Sequence, residues 1–229
     1  LTGHGGSESH ARCLAEEFES LRNGVILDSA SLEKLTAESK WGDLALAPDI
    51  ALLAHHTTCA KFFALYPDFP PDKVVQTIHG LVPALEKPYT DKPIKYVAIS
   101  EEIAEAYKDL DCSVILNGVN LDKFKPIREL NETPQTLLSM AQSEPFNDML
   151  RGICNERGIE FKSRNKFVNP ADEDTLISEM QWADICVAIG RSAYEAMACG
   201  CAVLLADHRP YQEAICDGLV MSDDYEDCV

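Results

Sequence analysis

Short apolar runs recur along the chain, separated by stretches whose apolar residues return every three or four positions. The runs are Val25–Asp28, Asp49–His55, Val74–His79, Tyr96–Ser100 and Ser113–Asn117, then Thr136–Ala141, Ile159–Lys162, Ile185–Ile189 and Ala202–Ala206. They are rich in Val, Ile and Leu and nearly continuous, which predicts buried parallel strands rather than helices. The amphipathic stretches Ser7–Leu21, Glu101–Leu110, Pro145–Arg157, Asp172–Trp182 and Ser192–Cys199 predict helices. In Glu101–Leu110 the residues Ile103, Ala106, Tyr107 and Leu110 share one face and acids fill the other. Strands alternating with helices predict an α/β fold of parallel sheets covered on both faces.

One segment breaks the alternation. Asn120–Thr133 holds Phe124 and Pro126 among many charges, is followed by Pro134, and shows little periodicity, so it reads as a linker between two α/β units of similar size. The expected domains are residues 1–121 and 122–229, two small doubly wound units facing each other. Leu1–Gly6 reads as the loop after a strand, although no strand precedes it, so the chain is expected to be either a truncated or a compact form.

Composition narrows the function. Lys and Arg total 20 against 38 Asp and Glu, a formal net charge of -18. A surface that acidic repels phosphate backbones and anionic lipid, and no basic run offsets it, so neither nucleic acid nor membrane is an expected partner. No apolar run reaches the ~18 residues that span a bilayer, and the start has no signal-peptide pattern. Nine cysteines occur without a C-x-x-C pair, mostly inside apolar runs. They read as small buried hydrophobes of a cytoplasmic protein, with Cys199-Gly200-Cys201 the one close pair open to metal or redox chemistry.

Two stretches carry candidate chemistry, because ligands of open parallel sheets lie beyond the carboxyl ends of strands, near helix amino termini. Gly3-His4-Gly5-Gly6-Ser7 leads into the first predicted helix, where Gly5 and Gly6 let the backbone approach an anion. Alone, this loop reads equally well as a tight turn. Gly190-Arg191-Ser192 with Glu195 follows the strand Ile185–Ile189. Gly190 allows the turn, Ser192 can cap the helix, Arg191 adds a cation at the positive dipole end, and Glu195 can accept hydrogen bonds from ribose. The plainer reading is a cap, a surface charge and a first-turn acid. His55-His56 predicts no metal, since adjacent strand residues point to opposite faces.

The segment Tyr194-Glu195-Ala196-Met197-Ala198-Cys199-Gly200, followed by Ala202-Val203-Leu204, resembles the signature of GT-B glycosyltransferases of family 4. Gly5-Gly6-Ser7-Glu8, Thr77-Ile78-His79-Gly80, Tyr96–Ile103 and Asn117–Phe124 resemble further motifs of that family in the same order. The resemblance implies two Rossmann-like domains facing a cleft, with a nucleotide sugar bound by the second and an acceptor by the first. It implies retention of anomeric configuration with neither metal nor cofactor. On it Glu195 holds the ribose, Gly190, Arg191 and Ser192 face the diphosphate, and Gly5 and Gly6 approach from the other domain. His79 matches a histidine near the transferred sugar; without the resemblance it is equally a strand-end histidine bonded to backbone.

The chain departs from that family in two places. The family's earlier Glu, in its E-x7-E motif, falls here on Val187. The Arg and Lys that bind diphosphate after the first strand of the second domain have no counterpart in Met140–Asn147, which has one acid and no cation. The implied function is transfer of a sugar from a nucleoside-diphosphate sugar to an unknown acceptor. The departures keep two alternatives in view: a non-catalytic nucleotide-sugar-binding relative or partner subunit, and a nucleotide-sugar epimerase using His79 with His4 or Glu144. Base, sugar, acceptor and oligomeric state are not legible in the chain.

Overall fold

A computed structural model describes residue 14 and residues 50–81, 86–207 and 215–219. The expected strand at 25–28, the expected helix at 7–21 apart from Leu14, and the candidates Gly5 and Gly6 lie outside the described residues. The chain divides into two compact units, Leu1–Asn117 and Gly118–Val229. Both are α/β, and their sheets are wholly or mainly parallel, compatible with Rossmann-like folds. Among the described residues no helix is long and apolar enough to cross a membrane.

In the first unit, β1 (Ala51–Leu53), β2 (Val74–Ile78), β3 (Lys95–Ala98) and β4 (Cys112–Val114) form a parallel sheet in chain order. Helix α1 (His56–Leu65) follows β1, and α2 (Glu101–Ala106) follows β3. The sequence reading left residues 56–65 unassigned, yet Cys59, Phe62 and Phe63 are the buried stripe of α1 and carry the helical spacing. Phe62 meets Phe69 edge-on at 5.1 Å and Phe63 at 5.6 Å, and Phe63 stacks on Tyr89 at 5.7 Å. Gln76 is fully buried in β2 and spends its amide on backbone. It donates to Lys87 O at 3.1 Å and accepts from Tyr89 N at 2.7 Å, which fixes the strandless 86–89 segment against the sheet.

Helix α2 is capped by Ser100, whose hydroxyl accepts from Ile103 N at 3.3 Å. It ends at Ala106 rather than at the expected Leu110. Tyr107 and Leu110 still pack on the core, but in a turn closed by Leu110 N to Tyr107 O at 2.8 Å that brings the chain to β4. Apolar spacing marked Ile103, Tyr107 and Leu110, but it wrongly included Ala106, which is exposed, missed Ala104, which packs on the core, and did not mark where the helix stops.

The second unit orders its strands β6-β5-β7-β8-β9. They are β5 (Thr136–Ser139), β6 (Glu160–Ser163), β7 (Ile185–Ala188), β8 (Ala202–Asp207) and β9 (Ile215–Leu219). Helices α3 (Glu144–Arg157), α4 (Glu173–Trp182) and α5 (Arg191–Ala198) connect the parallel members. Alternate residues of the strands serve opposite faces. Leu138, Cys186, Ala188, Val203 and Leu205 join Met180, Ala193 and Ala196 in one core, while Leu137, Val187 and Ala206 join Leu150 and Cys154 in the other. Two buried faces explain why these strands read as continuous apolar runs. The expectation of purely parallel sheets is corrected by β9, which pairs antiparallel with β8. Segment 208–214 is shorter than the dozen or so residues that a parallel crossover requires.

The charged segment expected to be a linker is fastened to the second unit. Phe124 is buried in its core, and Gln181 Nε2 donates to Lys125 O at 3.0 Å. Arg128 donates to Gln181 O at 3.2 Å and to Trp182 O at 2.5 Å, and pairs with Asp184 Oδ1 at 2.9 Å. Asp184, 2% exposed, also accepts from the Asn131 amide, Gln135 N and the Thr136 amide and hydroxyl. Burial pushes its carboxyl up, but the bonds from Asn131, Gln135 and Arg128 outweigh that and hold it well below the usual carboxylate range. Composition suggested a free connector because each of these partners lies some fifty positions away along the chain. Pro126 completes the strap, sitting where a side chain on Gly200 (φ 90°) would stand, 3.1 Å from its Cβ.

Candidate functional site

The strand order of the second unit contains a topological switch point. The chain leaves β5 for β6 on one side and returns through α4 to β7 on the other, so the order reverses between β5 and β7. Ligands of open α/β sheets bind at this switch point, outside the carboxyl ends of the strands. Here those ends carry Met140–Ser143 after β5 and Ile189-Gly190 after β7, joined by Met140 N to Val187 O at 2.8 Å.

Gly190 stands at φ 54° and ψ -136°, a backbone conformation for which only glycine is suited, although a Cβ there would meet nothing within 4 Å. It is the N-cap of α5 and, being glycine, brings no side chain to cap it. The expectation that Ser192 caps it is therefore corrected: the turn at Gly190 starts the helix one position earlier, which puts Ser192 inside it. Gly190→Ala is expected to cost about 1–3 kcal/mol through backbone strain alone, read as a lower urea midpoint; a midpoint equal to the parent's would refute it.

Arg191 and Glu195, given separate tasks by the sequence reading, are joined in the structure. Arg191 Nε donates to Glu195 Oε1 at 2.7 Å, across one helical turn, with the side chains 8% and 13% exposed. A pair this shielded keeps both charges inside the helix start.

The β5 loop supplies amides and one acid. Ser139 Oγ donates to Asn147 Oδ1 at 2.7 Å, and Asn147 Nδ2 donates to Ala141 O at 3.2 Å and Glu144 Oε1 at 3.3 Å. Asn165, from the loop after β6, donates to the same Glu144 oxygen at 2.8 Å. Glu144 lies in the first turn of α3, where its carboxylate is the anion the helix dipole favours. Gln142 Oε1 is buried with no hydrogen-bond partner among the described residues. Nothing in the composition pointed to this chain of polar side chains, since it is assembled from the end of β5, the first turn of α3 and the loop after β6.

In the first unit His79 directly follows β2, with its ring 6.5 Å from that of His55, which follows β1. His55 Nε2 lies 3.6 Å from Glu86 Oε1. The sequence reading singled out His79 and missed Glu86, which belongs to a stretch without periodicity. Among the described residues no group of three or more His, Cys, Asp or Glu is placed to hold a metal. The Cys199–Cys201 pair is not poised for such chemistry: burial pushes Cys199 up to about 11 and Cys201 to about 12, and Cys201 Sγ donates to Met180 O at 2.9 Å. Compared with protein-family models and with curated proteins, the chain matches none.

Proposed function

We propose that this chain is a glycosyltransferase that moves a sugar from a nucleoside-diphosphate sugar to an acceptor, with the donor held by the second unit. One observation carries the reading most: a glycine-only turn followed by a helix start with Arg191 stands at the carboxyl end of β7, beside the switch point. Backbone N–H groups and a dipole there favour a diphosphate. The order of family-4-like motifs supports the same reading. Catalysis on it consists of diphosphate stabilisation and positioning, with His79 on the sugar side.

The departures from the family pattern favour the second reading, a non-catalytic nucleotide-sugar-binding relative: Met140–Asn147 holds no cation, and Val187 stands where the earlier Glu is expected. A thermal-shift series with UDP, GDP, CDP and dTDP separates these ideas from no nucleotide site at all. One nucleotide is expected to stabilise the protein, by about 2.7 kcal/mol at a hundredfold excess over Kd. Glu195→Ala is expected to weaken that nucleotide more than Glu102→Ala, a substitution on α2. If none of the four shifts the melting temperature, the reading fails. With nucleotide sugars, release of free nucleoside diphosphate marks transfer or hydrolysis, sugar interconversion without release marks an epimerase, and binding alone marks the non-catalytic relative.

A further inference from the structure

We propose that His55 and Glu86 form a proton-accepting pair for a hydroxyl-bearing ligand of the first unit. Strands β1 and β2 are parallel neighbours, so their carboxyl ends bring His55 and His79 to one edge of the sheet, where ligands of such sheets lie. His55 occupies the N-cap of α1, yet its imidazole makes no capping bond to that helix. The nitrogen facing Glu86 is Nε2, at 3.6 Å from Oε1. A proton on Nε2 directed at the carboxylate leaves the lone pair on Nδ1, the tautomer a general base needs.

Burial is similar for the two partners. The His55 and Glu86 side chains are 19% and 13% exposed, so both are largely shielded and each retains some contact with solvent. Glu86 Oε2 is buried with no hydrogen-bond partner among the described residues. A shielded carboxylate with an unmet oxygen is costly, and such groups persist where chemistry uses them. Unliganded catalytic pairs are often longer than a hydrogen bond and shorten when substrate binds, as 3.6 Å allows. His79 walls the same edge with its ring 6.5 Å away.

The proton balance is simple. The ligand's O–H bond breaks as an N–H bond forms at Nδ1, and Glu86 stabilises the resulting imidazolium. That the ligand is a sugar acceptor rests on the transfer reading above. In that reaction the freed oxygen pair bonds to the anomeric carbon as the bond from that carbon to the nucleoside diphosphate's oxygen breaks, and the nucleoside diphosphate leaves with the electrons. His55 is then a catalytic residue and Glu86 a positioning residue acting through it.

Diethyl pyrocarbonate, which acylates neutral imidazole, tests the pair in the full chain without any assumed reaction. Near pH 8, above the ordinary histidine value of ~6.5, peptide mapping is expected to show His55 acylated faster than its neighbour His56. Glu86→Gln should slow acylation of His55 several-fold and leave His56 unchanged, while Glu86→Asp keeps part of the rate. The comparison within the unsubstituted protein needs no variant to fold. The proposal is overturned if His55 reacts no faster than His56, or equally fast with and without the Glu86 carboxylate. In a nucleotide-sugar assay His55→Gln is expected to lower nucleoside-diphosphate release about 100-fold. A parent that releases none ends the transfer reading and leaves the pair judged by acylation. A His55→Gln protein as fast as an active parent ends the pair and leaves the transfer reading intact.

Discussion

Asp184→Ala is expected to destabilise the second unit by about 3 kcal/mol, the cost of stranding shielded donors that share one acceptor. The carboxylate is the shared acceptor for Arg128, Asn131, Gln135 and Thr136, so its removal strands several donors at once. Trp182, whose carbonyl also binds Arg128, is the natural reporter. Urea denaturation followed by its fluorescence, with Trp41 replaced by Phe, gives the change directly. A loss below about 1 kcal/mol, the worth of an exposed ion pair, would show that the strap is not held as described. The same carboxylate has a pH signature. Its value in the folded state is depressed, so its stabilisation is complete above the ordinary 3.8 and fades as pH falls below it toward the folded value. The parent should lose stability through that acid window, and Asp184→Ala should lose less.

The first unit has its own sensitive point. Phe62→Ala is expected to cost about 3–5 kcal/mol, as large-to-small changes in aromatic cores do. Phe62 is 5% exposed and touches Phe63, Tyr66 and Phe69, all with ring centres within 5.6 Å, so little can collapse into the space it leaves. Cys59, on the same helix and fully buried, reads the opening of this core. Burial pushes its thiol to about 12, against a smaller opposite effect of its own backbone hydrogen bond, so it is inert until exposed. Alkylation of Cys59 under native conditions should accelerate by roughly 100-fold or more, since each 1.4 kcal/mol is tenfold in the open population. An unchanged rate would mean that the ring cluster does not hold α1 in place.

These cores also show what the chain made legible. Strands β5, β7 and β8 were readable because two covered faces require apolar residues at every position, a signal that survives without neighbours. Helix α1 was equally encoded in Cys59, Phe62 and Phe63, but the strand expected through His55 ran on into histidines and threonines that obscured its start. Strand β9, Ile-Cys-Asp-Gly-Leu, has a short and interrupted apolar run that its pairing with β8 completes.

Site geometry was legible only in part. The turn at Gly190 followed from a glycine between an apolar run and a helix, because backbone conformation is a local property. The closure of Arg191 on Glu195 has the four-residue spacing of a helical pair, yet the same residues also suit a nucleotide, and spacing cannot choose between the two. The contacts of Asp184 and the pairing of His55 with Glu86 join residues far apart along the chain, where no periodic signal reaches.

The strap also bears on where the second unit can be cut free. A fragment beginning at Thr136, the first residue of regular structure there, would discard Arg128, Asn131 and Gln135 and leave Asp184 shielded but stripped of most of its donors. Beginning at Gly118 retains them, along with Phe124 in the core and Pro126 against Gly200. For anyone expressing this half by itself, eighteen irregular residues, 118–135, separate a fragment with its seam closed from one that frays at the root of β7.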